Sequence, residues 1–183
     1  MNNNLSIIRQ QFAQCVFNHK IQEIACDRVE KINTRIKYLN VGILACVLIF
    51  LVLQLKYPQN FIFGGISISI TLFEILFLFI QKEFSFEERS KEHKKIALKF
   101  LELRGKYKNF IVDIMDDLAN TKIVSKRNLL QEQYQIISEL APQTKYSDYI
   151  NAQLSLLGKT KTDEEFTWSN KEINKFLPKK LRI

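Results

Sequence analysis

The sequence predicts an all-α membrane protein, in which a two-helix transmembrane hairpin carries helical extensions that form a cytoplasmic helical bundle. Apolar residues are concentrated between positions 39 and 80, and nearly all charged residues lie outside that window. On both sides of the window, apolar residues recur every three or four positions, which is the helical period. We therefore divide the chain into an N-terminal cytoplasmic helix (1–37), the hairpin (38–81) and a C-terminal cytoplasmic helical region (82–183).

Residues 5–37 are predicted to form a helix that runs into the first membrane span. Cys15 and His19 are one turn apart and could hold a soft metal ion, but Cys26 lies about 10 Å further along the axis. Packing is therefore favoured over metal binding, and the three cysteines are expected to be free thiols. The predicted inward face consists of Leu5, Ile8, Phe12, Cys15, His19, Cys26, Val29 and Ile36.

The hairpin follows from two apolar runs and the short loop between them. Residues 38–55 are 18 uncharged positions between Lys37 and Lys56, and they extend over about 27 Å as a helix. Residues 61–80 extend over about 30 Å, which matches the hydrocarbon thickness of a bilayer. The loop KYPQN contains Pro58 and permits only a tight antiparallel connection.

Positive charges predict the orientation of the hairpin. Cations cluster just before the first span and just after the second, whereas the loop holds only Lys56. Both termini should therefore face the cytoplasm. Since this topology accounts for most of the net charge of +8, nucleic-acid binding is not favoured. The flanking cations are Arg28, Lys31, Arg35, Lys37, Lys82, Arg89, Lys91, Lys94 and Lys95.

The second span is predicted to continue as one long cytoplasmic helix, because residues 81–104 contain neither glycine nor proline. The two helices that flank the hairpin should pack on each other, since only a short loop separates the spans that they continue. The inward stripe of this second helix is predicted to be Ile96, Phe100, Leu103, Tyr107, Phe110, Ile114 and Leu118.

Three shorter helices and a loop complete the prediction. One helix covers residues 124–140 before Pro142, another covers 147–157 before Gly158, and a polar loop follows at 159–167. A capping box formed by Ser169 and Glu172 then starts a short helix that ends near Pro178. The inward residues of the first of these helices are predicted to be Leu130, Tyr134, Ile137 and Ala141.

Other clusters of polar residues give no chemical motif. Asp113, Asp116 and Asp117 superficially resemble a magnesium-binding helix, but without a second acidic motif we expect them on a solvated face. His93 is expected as a surface imidazole. No Ser-His-Asp order, Walker loop or HExxH string occurs in the sequence. The sequence therefore predicts neither an enzyme nor a bound cofactor.

Glu74 is the exceptional residue of the second span. A charge at the centre of a membrane helix costs about 2.5–3.5 kcal/mol, against a gain of about 0.3–0.6 kcal/mol for each large apolar residue. The 14 large apolar side chains of residues 61–80 therefore outweigh it. Glu74 belongs to a heptad seam of mostly small or polar residues, which is typical of helix contacts in lipid. The seam runs through Asn60, Gly64, Ser67, Thr71, Glu74, Leu78 and Gln81.

Two interpretations of Glu74 stay open at this point. The first span is expected to place Gly42, Ala45 and Cys46 at the same depth, so that no cation is near. Glu74 either carries a proton and bonds a neighbouring helix, or faces a hydrated lumen formed by several copies of the hairpin. The candidate seam and pore-lining residues are Gly64, Ser67, Thr71, Glu74 and Gln81.

Three stretches of the chain resemble a known family. They are NHKIQEIACDRVEKINTRIKYLNVGIL, which enters the first span, EERSKEHKKIALKFLELRGKY, which leaves the second, and the closing SNKEINKFLPKKLRI. With this layout the chain resembles the SLATT domain, a two-helix membrane effector associated with SMODS nucleotidyltransferases and SLOG nucleotide sensors.

The resemblance implies an effector of a prokaryotic antiviral system, and the polar seam with Glu74 leads us to expect a homo-oligomer. It would form a pore or otherwise breach the inner membrane when a partner system senses infection. The implied partner is a separately encoded nucleotidyltransferase, nucleotide sensor or reverse transcriptase. Two alternatives remain, namely a membrane anchor or scaffold that makes no pore and a soluble helical protein with an interior hairpin.

Overall fold

The computed structural model describes residues 3–116, 120–160 and 167–183, and within these ranges the chain is helical without strands, which confirms the all-α class. Leu118, Asp117 and residues 161–166 of the predicted polar loop lie outside the described residues. The helices are α1 (Asn3–Lys56), α2 (Phe61–Phe84), α3 (Phe86–Met115), α4 (Asn120–Glu139), α5 (Tyr146–Leu157) and α6 (Asn170–Asn174), followed by a 3₁₀ helix (Lys179–Leu181).

Contacts divide the chain into two compact units. The bundle unit comprises the chain up to Cys26 together with Lys91–Ile183, and the hairpin unit comprises Asp27–Ser90. Helix α1 is a single helix of 54 residues, so it contributes its first half to the bundle unit and its second half to the hairpin unit. The predicted continuity between the N-terminal helix and the first span is therefore confirmed.

The bundle unit has a hydrophobic core between α1 and the helices that follow the hairpin. The described residues of the predicted α3 stripe, from Ile96 to Ile114, are all buried, which confirms that stripe. Helix α1 buries a wider face than predicted, because it also packs Ala13, Val16 and Phe17 into the core. A single 3/4 stripe underestimates a helix that has neighbours on more than one side.

The predicted contact between the two flanking helices is present in both units. In the bundle unit, the ring N–H of His19 at Nδ1 donates to the carbonyl of Ala97 at 2.9 Å. In the hairpin unit, Lys37 on α1 forms an ion pair of 3.1 Å with Glu87 on α3.

The shorter helices form where their end signals predict. Leu130 is buried in α4, and Tyr134 and Ile137 pack against the core. Gly158 ends α5 in the left-handed conformation with φ 73°, which glycine adopts without steric cost. The box of Ser169 and Glu172 starts α6, with both of its reciprocal hydrogen bonds in place.

The predicted continuity from α2 into α3 is wrong at one residue. Ser85 is left-handed, with φ 44°, and it separates α2 from α3. Its hydroxyl donates to the carbonyl of Lys82 at 3.2 Å, and its own carbonyl accepts from the N–H of Arg89 at 3.0 Å. Because the break occurs at a serine, the glycine and proline pattern of the sequence did not reveal it.

The hairpin unit exposes its apolar side chains. Helices α1 and α2 are long and apolar enough to cross a membrane, and large side chains such as Leu48 (63 % exposed) and Phe79 (68 %) lie on their outer faces. An interior hairpin of a soluble protein would bury these residues instead. The exposure therefore agrees with two membrane-spanning helices.

Candidate functional site: the polar seam of the hairpin

The face of α2 that contacts α1 carries most of the predicted seam. Ser67 and Glu74 are buried, at 2 % and 4 % exposure, and Gly64 and Gln81 are half-buried. Thr71 is exposed and donates its hydroxyl to the carbonyl of Ser67 within the same helix, at 2.9 Å. Four of the five candidate residues therefore lie between the two helices of one chain.

The seam is rotated slightly from the predicted heptad register. Leu78, which was predicted on the seam, is 46 % exposed. The positions next to the predicted ones, Phe63, Ile70 and Phe77, are half-buried instead. The predicted seam chose the small and polar residues, whereas the packed face also needs large apolar side chains to fill the space beside α1. The contact face is Phe63, Gly64, Ser67, Ile70, Glu74, Phe77 and Gln81.

An amide side chain of α1 closes each end of the seam. At the loop end, Gln54 Oε1 accepts from the backbone N–H of Gly64 at 2.7 Å. That N–H belongs to the first turn of α2 and has no partner within its own helix. At the other end, Asn40 Nδ2 donates to Gln81 Oε1 at 2.8 Å. Such bonds satisfy polar groups that lipid would leave unpaired.

Gly64 allows Gln54 to approach the backbone of α2. A Cβ atom at this position would lie 3.1 Å from Gln54 Oε1 and 3.4 Å from its Cδ. A larger residue would therefore push the amide away from the N–H that it accepts from. Neither Gln54 nor Asn40 was singled out by the sequence, because isolated amides within an apolar run have no periodic signal.

The middle of the seam is held more weakly than its ends. Ser67 Oγ lies 3.5 Å from the carbonyl of Val47, which is beyond the usual range of a hydroxyl donor. One carboxylate oxygen of Glu74, Oε2, is buried without a hydrogen-bond partner among the described residues. The seam thus has a hydrogen bond between the two helices at each end, while Glu74 Oε2 at its centre and Asn40 Oδ1 at one end are buried without a hydrogen-bond partner among the described residues.

The contacts on either side of Glu74 place it along the hairpin. Asn40 pairs with Gln81 and Val47 with Ser67, so Glu74, midway between them, lies at about the level of Ile43. Gly42, Ala45 and Cys46, which were expected at this depth, are within one turn of Ile43 and are exposed on other faces of α1. The expectation that no cation of the first span faces Glu74 agrees with this geometry, because the contact face of α1 in this region is apolar.

With this geometry established, the chain can be compared with known proteins. The family model of the SMODS and SLOG-associating 2TM effector domain family 4 matches residues 5–172. The chain belongs to this family. The match includes the whole hairpin unit and most of the bundle unit. Searches of curated proteins and of solved structures gave no significant match.

The bundle unit of this effector domain contains buried polar groups that sequence analysis missed. Arg9 is fully buried, and its guanidinium donates to the carbonyl of Leu181 at 2.9 Å and to Asn174 Oδ1 at 2.6 Å. Burial lowers the pKa of Arg9. Because Arg9 lies beside the apolar stripe of α1 and not within it, its burial had no periodic signal.

The expectation that His93 lies on the surface is wrong. Its side chain is buried at 3 % exposure, and its Nδ1 lies 2.6 Å from Gln22 Oε1. Gln22 Nε2 points toward the carbonyl of Pro142 at 3.5 Å. The amide oxygen of Gln22 therefore accepts from the imidazole, which places the proton on Nδ1. The polar neighbours of His93 in the sequence hid its place on the buried stripe, three residues before Ile96.

Other candidate residues are structural. Asp113 forms an ion pair with Lys126, and Asp116 is exposed. Burial raises the pKa of the Cys15 thiol, so this side chain behaves as an apolar core residue. Cys15, Cys26 and Cys46 form no disulfide bond among the residues that the structure describes. Within the described residues, no group of three or more His, Cys, Asp or Glu side chains could hold a metal ion.

Proposed function

We propose that this chain is a membrane effector of a prokaryotic antiviral conflict system, which oligomerises and breaches the inner membrane when it is activated. Membership of the 2TM effector family and the two exposed apolar helices support the effector role and the membrane location. Both termini are proposed to be cytoplasmic, with 38–81 in the membrane and 1–37 and 82–183 on the cytoplasmic side.

The observation that carries this proposal is the unsatisfied carboxylate at the centre of the seam. Intramembrane acidic residues almost always face protein or water, and they mark functional positions. In a single chain, Glu74 is shielded from lipid by α1, yet one of its oxygens has no partner among the described residues. Contacts with further copies, or with water between copies, would satisfy that oxygen.

Activation is proposed to exchange contacts within the hairpin for contacts between hairpins. Ser67 and Glu74 are buried against α1, so they can line a lumen only after α2 turns or separates from α1. Because α2 is one helix, this change also breaks the hydrogen bonds of Gly64 with Gln54 and of Gln81 with Asn40, while the weakly held centre of the seam adds little to its cost. Because α1 is one helix through both units, a rearrangement in the bundle unit can be transmitted to the span along its axis.

The activating partner is proposed to be a separately encoded protein or its nucleotide product. The family description names an association with SMODS and SLOG, which supports a nucleotidyltransferase or a nucleotide sensor. A reverse transcriptase is the third candidate. In each case, the signal must bind the open oligomer more tightly than the resting chain, because only differential affinity shifts an equilibrium.

Vesicle leakage tests the role of Glu74. The full-length protein is reconstituted in dye-loaded vesicles, and release is compared for the wild type, Glu74→Gln and Glu74→Leu. We expect both variants to insert normally and to change the leak rate by about tenfold or more, since the charge of the lumen is removed. Glu83→Gln is the matched control, because it makes the same chemical change at an exposed position at the end of α2.

Unchanged leakage in both Glu74 variants would remove this residue from the mechanism. A vesicle that stays sealed at every oligomeric state would instead favour the second candidate, a non-conducting anchor or scaffold that recruits a cytosolic partner. One observation favours the scaffold: at both ends of the seam, an amide side chain of α1 forms a hydrogen bond with α2 within a single chain. The hairpin therefore does not need a second copy to close its ends.

A further inference from the structure

Ser85 holds a backbone conformation that serine seldom adopts. Its φ is 44°, and among the described residues it is the one residue other than glycine with positive φ. The left-handed region is costly for a residue with a Cβ atom. Such residues persist only where the surrounding structure requires them, and they cluster at segments that switch between two states. The break between α2 and α3 at Ser85 therefore needs a structural cause.

The sequence beside Ser85 does not cause the break. Residues 81–90 read QKEFSFEERS and contain neither glycine nor proline. This segment is compatible with an uninterrupted helix. A continuous helix through Ser85 is therefore a conformation that the local sequence favours, and contacts with other parts of the chain must hold the broken form.

The face that α2 buries does not continue into α3. Most of the contact face of α2 consists of positions spaced alternately four and three apart, from Phe63 to Gln81. Continued at the same spacing along an uninterrupted helix, this series reaches only exposed residues. They are Phe84, Glu88, Lys91, Lys95, Leu98 and Glu102.

The residues that α3 buries lie one or two positions away from that series. Each residue of an α-helix turns the chain by about 100°. On one continuous helix, the buried faces of α2 and α3 would therefore point in directions that differ by roughly a quarter of a turn. The first buried residues of α3 are His93, Ile96, Ala97, Phe100 and Leu103.

Both faces nevertheless contact the same side of α1. In the hairpin unit, Gln81 accepts a hydrogen bond from Asn40 at 2.8 Å. In the bundle unit, His93 lies 2.6 Å from Gln22. Gln22 and Asn40 are 18 positions apart on one unbroken helix, which is five turns at about 3.6 residues per turn. The break at Ser85 thus lets two different faces pack against a single face of α1.

Two contacts beside the break belong to the broken form alone. The rings of Phe84 and Phe86 are stacked, with centroids 5.8 Å apart, whereas residues two positions apart do not face each other on a continuous helix. Glu87 pairs with Lys37 of α1, although on a continuous helix it would lie about 120° around the axis from Gln81. The ion pair is exposed and stabilises the broken form little.

We infer that Ser85 is a hinge, at which α2 turns relative to α3 when this residue moves from the left-handed to the right-handed helical conformation. In the alternative form, α2 and α3 are one helix. While the stripe of α3 stays packed in the bundle unit, Ser67 and Glu74 turn away from α1 by roughly a quarter of a turn. The inference deepens the proposed function, on which it rests only for the statement that the continuous form is the active one.

Two substitutions at Ser85 should move this equilibrium in opposite directions. Ser85→Gly removes the Cβ atom that makes positive φ costly and lowers the helix propensity, so it should favour the broken form by about tenfold. Ser85→Ala raises the helix propensity and removes the hydroxyl that bonds the carbonyl of Lys82. It should favour the continuous form by about threefold.

Distances between spin labels report the equilibrium in the full-length protein, reconstituted in lipid nanodiscs. The labels are attached at Leu72→Cys and Lys95→Cys, two exposed positions, in a Cys46→Ser background, because the other two cysteines are buried. On one continuous helix these positions are about 35 Å apart, and the break shortens that distance. We expect the ratio of long to short distances to rise about threefold in Ser85→Ala and to fall about tenfold in Ser85→Gly.

The thermal unfolding midpoint provides a matched control. Glycine is favourable where φ is positive and unfavourable within a helix. Ser85→Gly should therefore raise the midpoint, and Ser125→Gly, at an exposed helical position of α4, should lower it. Neither Ser125→Gly nor Ser125→Ala should change the label distances.

Two results would overturn the inference. A midpoint that falls in Ser85→Gly, as it does in Ser125→Gly, would show that residue 85 is not left-handed in the resting chain. Equal distance distributions in the two Ser85 variants would show that α2 and α3 do not exchange between the two forms.

Vesicle leakage, measured in parallel, separates the hinge from the proposed function. Ser85→Ala should leak faster than the wild type, and Ser85→Gly should leak more slowly. Label distances that change without any change in leakage would support the hinge and would contradict the assignment of the continuous form as the active one.

Discussion

Arg9 shows how a single buried polar residue joins the two ends of the chain. Its guanidinium reaches the carbonyl of Leu181 and the side chain of Asn174, and Asn174 Nδ2 in turn donates to the carbonyl of Ile183 at 2.7 Å. The start of α1 is thereby tied to the last residues of the bundle unit. Burying a cation is costly unless it is hydrogen-bonded; two guanidinium nitrogens of Arg9 are bonded here, while Nε has no partner among the described residues.

Replacing Arg9 should loosen this attachment. Arg9→Ala removes the guanidinium donor from the carbonyl of Leu181 and from Asn174 Oδ1, which keeps the N–H of Ile183 at 3.3 Å, so we expect a loss of about 3 kcal/mol in the free energy of unfolding. Trp168, the only tryptophan, is buried between the rings of Phe17 and Phe176 and reports unfolding by fluorescence in urea.

The exposed Lys175→Ala, in the same C-terminal segment, provides the control for Arg9. It removes one cation from the surface and should change the free energy of unfolding by less than about 0.5 kcal/mol. Equal urea midpoints for Arg9→Ala and the wild type would show that the buried guanidinium makes no net contribution.

Cys15 predicts a specific loss of stability at alkaline pH. Burial raises the pKa of its thiol in the folded state, whereas the unfolded thiol ionises near its ordinary value of about 8.5. Above that pH the unfolded chain binds fewer protons than the folded chain. The free energy of unfolding therefore falls, by up to about 1.4 kcal/mol per pH unit from this residue, until the raised pKa is reached.

A Cys15→Ala variant isolates this contribution. The loss of packing in this variant lowers the free energy of unfolding equally at all pH values. The pH-dependent contribution of the Cys15 thiol to that free energy disappears. We expect the slope of stability against pH between about 8.5 and 10 to become shallower by about 1 kcal/mol per unit. The free energy of unfolding is measured against pH by urea unfolding with Trp168 fluorescence. Parallel curves for the variant and the wild type would show that Cys15 is not the source of the pH dependence.

At the scale of the helices, the hairpin depends on the polar contacts at the two ends of its seam. Hydrogen bonds between membrane helices contribute modestly, with a mean coupling of about 0.6 kcal/mol and a maximum of about 1.7 kcal/mol. The pair of Asn40 and Gln81 is well suited to a direct measurement, because its two side chains belong to different helices of the same unit.

A double-mutant cycle with Asn40→Leu and Gln81→Leu should give a coupling of about 0.6 kcal/mol or more. Unfolding is followed by circular dichroism in mixed micelles of increasing dodecyl sulfate content. The control cycle combines Asn40→Leu with Ser69→Ala, whose hydroxyl bonds the carbonyl of Gly65 within α2, and its coupling should be zero. Equal couplings in the two cycles would mean that the amide pair does not hold the helices together.

For the whole molecule, the distribution of cations predicts the orientation in the membrane. The loop of the hairpin holds Lys56 as its one cation, and the segments beside the other ends of the spans hold many. The positive-inside rule places the richer segments in the cytoplasm. A fluorescent protein fused to the C-terminus should therefore fluoresce, and alkaline phosphatase inserted after Gln59 should be active outside the cytoplasm. Active alkaline phosphatase fused to the C-terminus would instead show that the termini lie outside the cytoplasm, which contradicts the predicted orientation.

Much of the fold follows from local sequence signals. The apolar runs of the hairpin, the stripe from Ile96 to Ile114 and the caps at Gly158 and Ser169 each depend on neighbouring residues, and each is present in the structure. Periodicity and capping act over a few residues, so one sequence suffices to predict them. The left-handed Ser85 has no such signal, because a serine seldom adopts positive φ.

The candidate site was predictable only in part. Ser67, Glu74 and Gln81 were found because polar residues are conspicuous in an apolar helix. Their partners Asn40 and Gln54, and the exposure of Thr71, depend on how α2 is rotated against α1. That rotation is decided by side-chain packing between the two helices, and a heptad count along one helix does not contain it.

The sequence by itself determined that the chain is helical, that two of its segments suit a bilayer, and that one carboxylate lies among apolar residues. Each of these properties depends only on residues that are close together in the sequence, so the order of residues along the chain is enough to predict it. The tertiary structure alone decided that Glu74 is shielded by α1 and that His93 and Arg9 are buried. Each of these depends on contacts between residues distant in sequence, or on the absence of such contacts, and only the folded arrangement of the helices fixes them.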